Sequence, residues 1–147
     1  MKYSLMKLAP AILGFAALAA CGGDSTAPPS ALVGSYTAVE FVTTGSSGQT
    51  NQLLAGSTLN IVLSSDHTTT GHLHLVASAG NPAFDADMTG TWTQIGSTVG
   101  FSQTADTFVR NMAFTAVAGT GGGWDLVGDG SFNGTAVHVT LGQQSNL

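Results

Sequence analysis

Eight short segments of this chain alternate apolar and polar side chains with a period of two, and clusters of glycine, serine, asparagine and aspartate separate them. A period of two sends successive side chains to opposite faces of an extended backbone, so each segment reads as a β-strand with one face to bury. The segments run Gly34 to Thr44, Ser57 to Ser64, Thr70 to Val76, Phe84 to Ile95, Val99 to Gln103, Met112 to Val117, Trp124 to Phe132 and Thr135 to Leu141. In the first, Thr37, Val39 and Phe41 share a face opposite Glu40; in the second, Leu59, Ile61 and Leu63 do. Leu73 and Leu75 alternate with His72 and His74, Met88, Gly90, Trp92 and Gln94 fall on one side, and Val137, Val139 and Leu141 alternate with His138 and Thr140.

The connections are short and sequential. Asn133-Gly134 is the strongest hairpin signal, because the favoured two-residue turn needs φ > 0 at both positions. Gly45 to Gly56 is the long polar exception, and Thr104 to Asn111 is either a loop or a short helical turn. No segment carries a convincing helical period. Sequential antiparallel strands remove their exposed edges by closing on themselves, so the expected fold is all-β, an eight-stranded antiparallel up-and-down barrel with the long first loop at one mouth. A β-sandwich of the same strands is the alternative.

Ahead of the strands lie Lys2 and Lys7, an apolar run from Leu8 to Ala20, and Leu18-Ala19-Ala20-Cys21. A basic start, a short apolar core and small residues before a cut form a secretory signal. The four residues resemble the lipobox of bacterial lipoproteins. That resemblance implies cleavage before Cys21 and a diacylglyceryl group on its sulfur, and Cys21 is the only cysteine of the chain. The expected organisation is a signal peptide over 1–20, a lipidated flexible tether over 21–31 rich in small residues and proline, and a barrel domain over 32–147. The apolar run falls short of the roughly 20 residues of a membrane span, so the expected membrane contact is the lipid anchor alone. In that family an aspartate after the cysteine retains a protein at the inner membrane; Gly22 stands there, which implies the outer membrane, on its periplasmic or surface face.

Removing residues 1–20 removes both lysines and leaves Arg110 alone against eight acidic side chains, a net charge of −7. Such a chain repels polyanions, so nucleic acid is excluded as a partner. With its one thiol acylated, the protein has neither disulfide nor thiol chemistry, and its stability must come from sheet closure and packing.

Leu32-Val33-Gly34-Ser35-Tyr36, the turn-bearing run from Leu63 to Gly71 and the hairpin Thr89 to Val99 resemble the small lipocalin-like domains of bacterial lipoproteins. True lipocalins carry Gly-x-Trp on the first strand; here Gly34-Ser35-Tyr36 stands in that place and the tryptophan falls at Trp92. The resemblance implies a barrel that binds a small, mainly apolar molecule. An eight-stranded barrel is just wide enough for side chains to fill or for one small ligand. Tyr36, Trp92 and Phe101 are the candidates to line a cavity, and Arg110 is the candidate to meet Asp106 or an anionic head at a mouth. The rival reading is a filled barrel acting through its surface as a structural or interaction lipoprotein.

His72 and His74, two apart on one strand face, are spaced to share a metal ion, with Asp66 or His67 as a third ligand. Alternation alone also accounts for them as two solvated positions, and no second ligand pair is evident, so no metal is expected. Asp85 and Asp87 share a face in the same way and read as a charged strand edge. Nucleophile elbow, phosphate-binding loop and dinucleotide fingerprint are all missing, so neither cofactor nor enzymatic activity is expected.

Overall fold

The inward members of the alternating segments are the residues that meet. Leu59, Ile61, Leu63, Leu73, Trp92, Val99, Phe101, Phe114, Val137, Val139 and Leu141 form one buried cluster. The computed structural model describes residues 30–78 and 82–144, so the signal peptide, the lipobox and nearly all of the tether lie outside the described residues. The elements are β1 (Gly34–Gly45), β2 (Gly48–Asn51), β3 (Thr58–Leu63), β4 (Thr68–Leu75), β5 (Phe84–Asp87), β6 (Gly90–Ile95), β7 (Thr98–Gln103), α1 (Phe108–Asn111), β8 (Ala113–Ala118), β9 (Trp124–Phe132) and β10 (Thr135–Gln143). They pair antiparallel in the order β1, β3, β4, β6, β7, β8, β9, β10, and β10 returns to β1 from Tyr36 opposite Gln143 to Thr44 opposite Ala136. The result is the closed eight-stranded antiparallel barrel, lipocalin-like in its order, and not a sandwich.

Three local departures from the expected strands have physical causes. In β1 the register against β10 shifts between Ala38 and Glu40. One extra residue reverses the alternation beyond it. Val39 is pushed out to 59% exposure, and the buried set is Tyr36, Ala38 and Phe41, not Thr37, Val39 and Phe41. The expected strand Phe84 to Ile95 is split into β5 and β6 at Met88-Thr89, where Thr69 Oγ1 (2.9 Å) and Gln103 Nε2 (3.3 Å) donate to the Met88 carbonyl. Both halves still pair with β4, and Gln94 at the far end is exposed. The long first loop contributes β2, a short strand hydrogen-bonded along Val42 to Gly45.

The junction also depends on two glycines. A Cβ on Gly71 would lie 2.3 Å from the Asn60 carbonyl oxygen, and one on Gly90 would lie 2.1 Å from that of Ser102. Such close backbone approach marks a barrel corner where only glycine fits.

The two ends of the barrel differ. At one end Leu32, Tyr36, Leu63, Trp92, Leu126 and Leu141 are fully buried. Tyr36 Oη donates to the Leu32 carbonyl (2.8 Å), Trp92 Nε1 donates to that of Ser64 (3.0 Å), and His67 stacks on the Trp92 ring at 4.9 Å. Gln143 closes this end: its Nε2 donates to the carbonyls of Ala31 (3.2 Å) and Val33 (3.1 Å), and its Oε1 accepts from the Trp124 amide (3.0 Å). Burial, with help from the charge of Asp125, pushes the Tyr36 phenol up to about 12, so it stays a donor. The described chain enters here, at Ser30. The opposite end carries β2, the connection after β4, α1 and the Asn133-Gly134 turn, whose φ values of 50° and 77° match the expected hairpin.

Candidate functional site

The open end holds a cavity of about 580 Å³. Its floor is made by the inward residues nearest that end: Phe41 of β1, Leu73 of β4, Val137 of β10, and Phe108, which α1 lays across the barrel. The Phe41 and Phe108 rings meet at 5.2 Å. This size lies within the range of small-molecule pockets, and an apolar floor with a few polar groups at the rim is their usual make-up.

Each wall has a sequence cause. The segment that carries α1 can cross the barrel end because β9 has glycines beneath it. A Cβ at Gly130 would meet Met112 Cγ at 2.6 Å, and one at Gly128 would meet Met112 Cε at 2.9 Å. The long loop folds back over the rim through Gln52, whose amide donates to the Phe41 carbonyl (2.8 Å) and whose Nε2 donates to Thr43 Oγ1 (2.7 Å). Ser57 Oγ donates to Gln52 Oε1 at 3.1 Å. Thr43, Gln52, Ser78, Asp106, Asn133 and Thr135 supply the polar part of the lining.

Thr107 also lines the cavity and is 1% exposed. It stands at the N-cap of α1, yet its side chain makes no capping bond, and its Oγ1 has no hydrogen-bond partner. A buried hydroxyl without a partner costs about 1 to 3 kcal/mol, so such a group is rare in a finished core. Gln103 Oε1, four residues earlier, is unpartnered in the same way.

The expected lining residues are elsewhere. Tyr36, Trp92 and Phe101 are buried and none borders the cavity; Tyr36 and Trp92 pack the sealed end, while Phe101 meets Phe114 edge-on at 5.3 Å. They stand nearer the sealed end, where they pack into the buried cluster. Arg110 donates to Asp106 Oδ1 at 2.6 Å, one turn away, so Asp106 borders the cavity while its counter-charge stands outside the lining. The signal that finds the true lining is the long loop: it marks one mouth, and Phe41, Leu73 and Val137 are the inward residues next to that mouth. Phe108 and Thr107 had no such signal, since their segment has no period.

On the outer face, antiparallel pairing of β4 with β5 brings the two histidines onto the two aspartates. His72 Nε2 lies 3.0 Å from Asp85 Oδ1, His72 Nδ1 3.3 Å from Asp87 Oδ1, and His74 Nδ1 2.8 Å from Asp85 Oδ1. Only an imidazolium can donate from both nitrogens. The hydrogen bond to Asp85, then that to Asp87, raises the pKa of His72, and the bond from His74 followed by that from His72 lowers that of Asp85. His138 is held likewise, between Asp129 (2.6 Å) on β9 and Glu40 (3.5 Å) on β1, and the Asp129 bond raises its pKa. Asp129 thus stands in the ladder opposite His138.

Asp66 and His67 do not join His72 and His74. Asp66 Oδ1 accepts from Thr68 Oγ1 at 2.6 Å and His67 stacks on Trp92, both at the sealed end. Among the described residues no group of three or more histidine, cysteine, aspartate or glutamate side chains is arranged to hold a metal ion, and no helix is long and apolar enough to cross a membrane. Comparisons with protein-family models, with curated proteins and with solved structures find no match for this chain.

Proposed function

We propose that the protein is a lipid-anchored lipoprotein of the bacterial envelope, on the outer membrane, whose barrel binds a small hydrophobic molecule at its open end. The observation that carries the binding half is the 580 Å³ cavity over an apolar floor of Phe41, Leu73, Phe108 and Val137. The anchoring half rests on Leu18-Ala19-Ala20-Cys21 and the unique cysteine. Binding without catalysis is the reading these residues support, since among the described residues the cavity is bordered by one carboxylate, Asp106, and by no histidine, cysteine or lysine.

Native mass spectrometry of the full chain, purified from its host in mild detergent, tests the binding half. A companion of discrete mass, released on denaturation, is the expected result; a chain that stays empty and takes up nothing from envelope lipid extracts sinks it. Intact-mass analysis tests the anchor: an N-terminus at Cys21 with a diacylglyceryl group is expected, and Cys21→Ser should abolish both the added mass and membrane association. One observation favours a second reading, an envelope protein acting through its surface. Tyr36, Trp92, Phe101 and Phe114 fill the rest of the interior, so an empty chain with an intact anchor would point to the outer face.

A further inference from the structure

We propose that the sealed end of the barrel is a membrane-contact surface, with the tip of the β6–β7 hairpin, led by Ile95, seated in the interfacial layer of the phospholipid bilayer that holds the Cys21 anchor. The inference rests on the anchoring reading above and adds to it the face of the barrel that meets the lipid.

Exposure and chain path single out this tip. Ile95 is 81% exposed, and Val117 on β8 is 40% exposed. The register makes them neighbours: Ile95 stands opposite Thr98, Thr98 opposite Thr115, and the Ala116 amide donates to the Ser97 carbonyl at 2.7 Å. One apolar side chain left in water is ordinary on a protein surface. This one stands where the chain from Cys21 arrives, because Ser30 Oγ donates to Gln94 Oε1 at 2.8 Å, one residue before Ile95.

Charge points to the same end. The chain after residue 20 carries eight carboxylates against one arginine, yet Ser30 to Val33, Gln94 to Thr98 and Val117 to Trp124 contain no charged residue. Uncharged turns enter a bilayer surface at far lower cost than carboxylates, which lose hydration there. Among the described residues two carboxylates stand at this end: Asp66, which accepts from the Thr68 amide (3.0 Å) and hydroxyl (2.6 Å), and Asp125, half-buried on β9. The anchor holds the sealed end within about 32 Å of the surface, so the contact has only to fix a pose and not to recruit the protein. Burying one isoleucine side chain favours the docked pose by about tenfold.

The anchored full chain, reconstituted in phosphatidylcholine vesicles, tests this with a fluorophore on one introduced cysteine: Thr120→Cys in the β8–β9 turn of the sealed end, or Leu54→Cys, at a position 87% exposed in the loop of the open end. With Cys21 acylated, the introduced thiol is the one that takes the label. Nitroxide lipids quench a label that touches the bilayer, and iodide quenches one that touches water. The Thr120 label is expected to be quenched by nitroxide lipid several times more strongly than the Leu54 label. Adding Ile95→Asp should cut the docked population about tenfold and bring the Thr120 label down to the Leu54 level. An unchanged melting temperature shows that this variant folds, and Ile95→Ser takes its place if the aspartate perturbs the hairpin. Vesicle-bound chain whose two labels quench alike, or whose Thr120 label ignores both substitutions of Ile95, overturns this inference and leaves the anchor standing. So does a Thr120 label shielded from iodide without lipid quenching, as a second copy of the chain would shield it. A chain that does not float with the vesicles overturns both.

Discussion

Single residues divide the barrel interior into a packed half and a half that opens on the cavity. Trp92 belongs to the first: it is 1% exposed, its indole bonds the Ser64 carbonyl, and His67 covers its ring. Trp92→Ala is expected to cost about 3 to 5 kcal/mol in urea unfolding, the range for truncating a buried aromatic. Phe108 belongs to the second. Phe108→Ala should leave the sheet ladders intact, as read by far-ultraviolet circular dichroism, and enlarge the cavity. At this scale the sequence was legible where alternation ran unbroken, as at Leu59, Ile61, Leu63, Val137, Val139 and Leu141, all buried as the period requires. It was misleading at Val39, because a bulge depends on the partner strand and leaves no mark in the local pattern. Size singles out Tyr36, Trp92 and Phe101 as ligand candidates, and size says nothing about which end of the barrel a side chain occupies.

Elements show where the barrel is stitched rather than simply paired. β5 leaves the main path and pairs only with β4, and the break before β6 is held by side chains of Thr69 and Gln103 on the Met88 carbonyl. Thr69 is 1% exposed, so Thr69→Val removes a buried donor without changing volume and should cost about 1 kcal/mol. A loss below the error of a denaturant titration would show that Gln103 alone holds the junction. The expected unbroken strand from Phe84 to Ile95 missed this break because glycine and threonine are at home in strands and in kinks alike; only the 2.1 Å approach at Gly90 tells them apart. The four-residue α1 was legible only as a choice between loop and turn, for a segment so short offers no period to read.

For the molecule as a whole, the outer face makes stability depend on pH. His72 and His138 are raised above their ordinary 6.5 by carboxylates on neighbouring strands, and both pairs cross a strand boundary, that of His138 with Glu40 lying on the β1–β10 closure. A group whose folded pKa is raised stabilises the fold fully below its unfolded value, and that contribution disappears as pH rises through the folded value. Asp85 works in the other direction: its lowered pKa contributes above the ordinary 3.8 and is lost as pH falls through the depressed value. The melting temperature is therefore expected to peak in mildly acidic solution, between these limits, and to decline as pH rises above about 6.5. His72→Gln with His138→Gln should flatten the alkaline limb of that curve; a limb unchanged in the double variant would assign it to other groups. The carboxylates of these pairs are largely exposed and the histidines partly so, so salt should weaken the effect.

Gln143 ties the base of the barrel to Ala31 and Val33, beside the point where the chain arrives from Cys21. The nine residue-to-residue steps from Cys21 to Ser30 reach at most about 32 Å. Under the proposed anchoring, the barrel is moored by its stoppered end and its opening is free to look away from the bilayer that holds it. Under the proposed binding, the mouth that would take cargo is the one farthest from the mooring point.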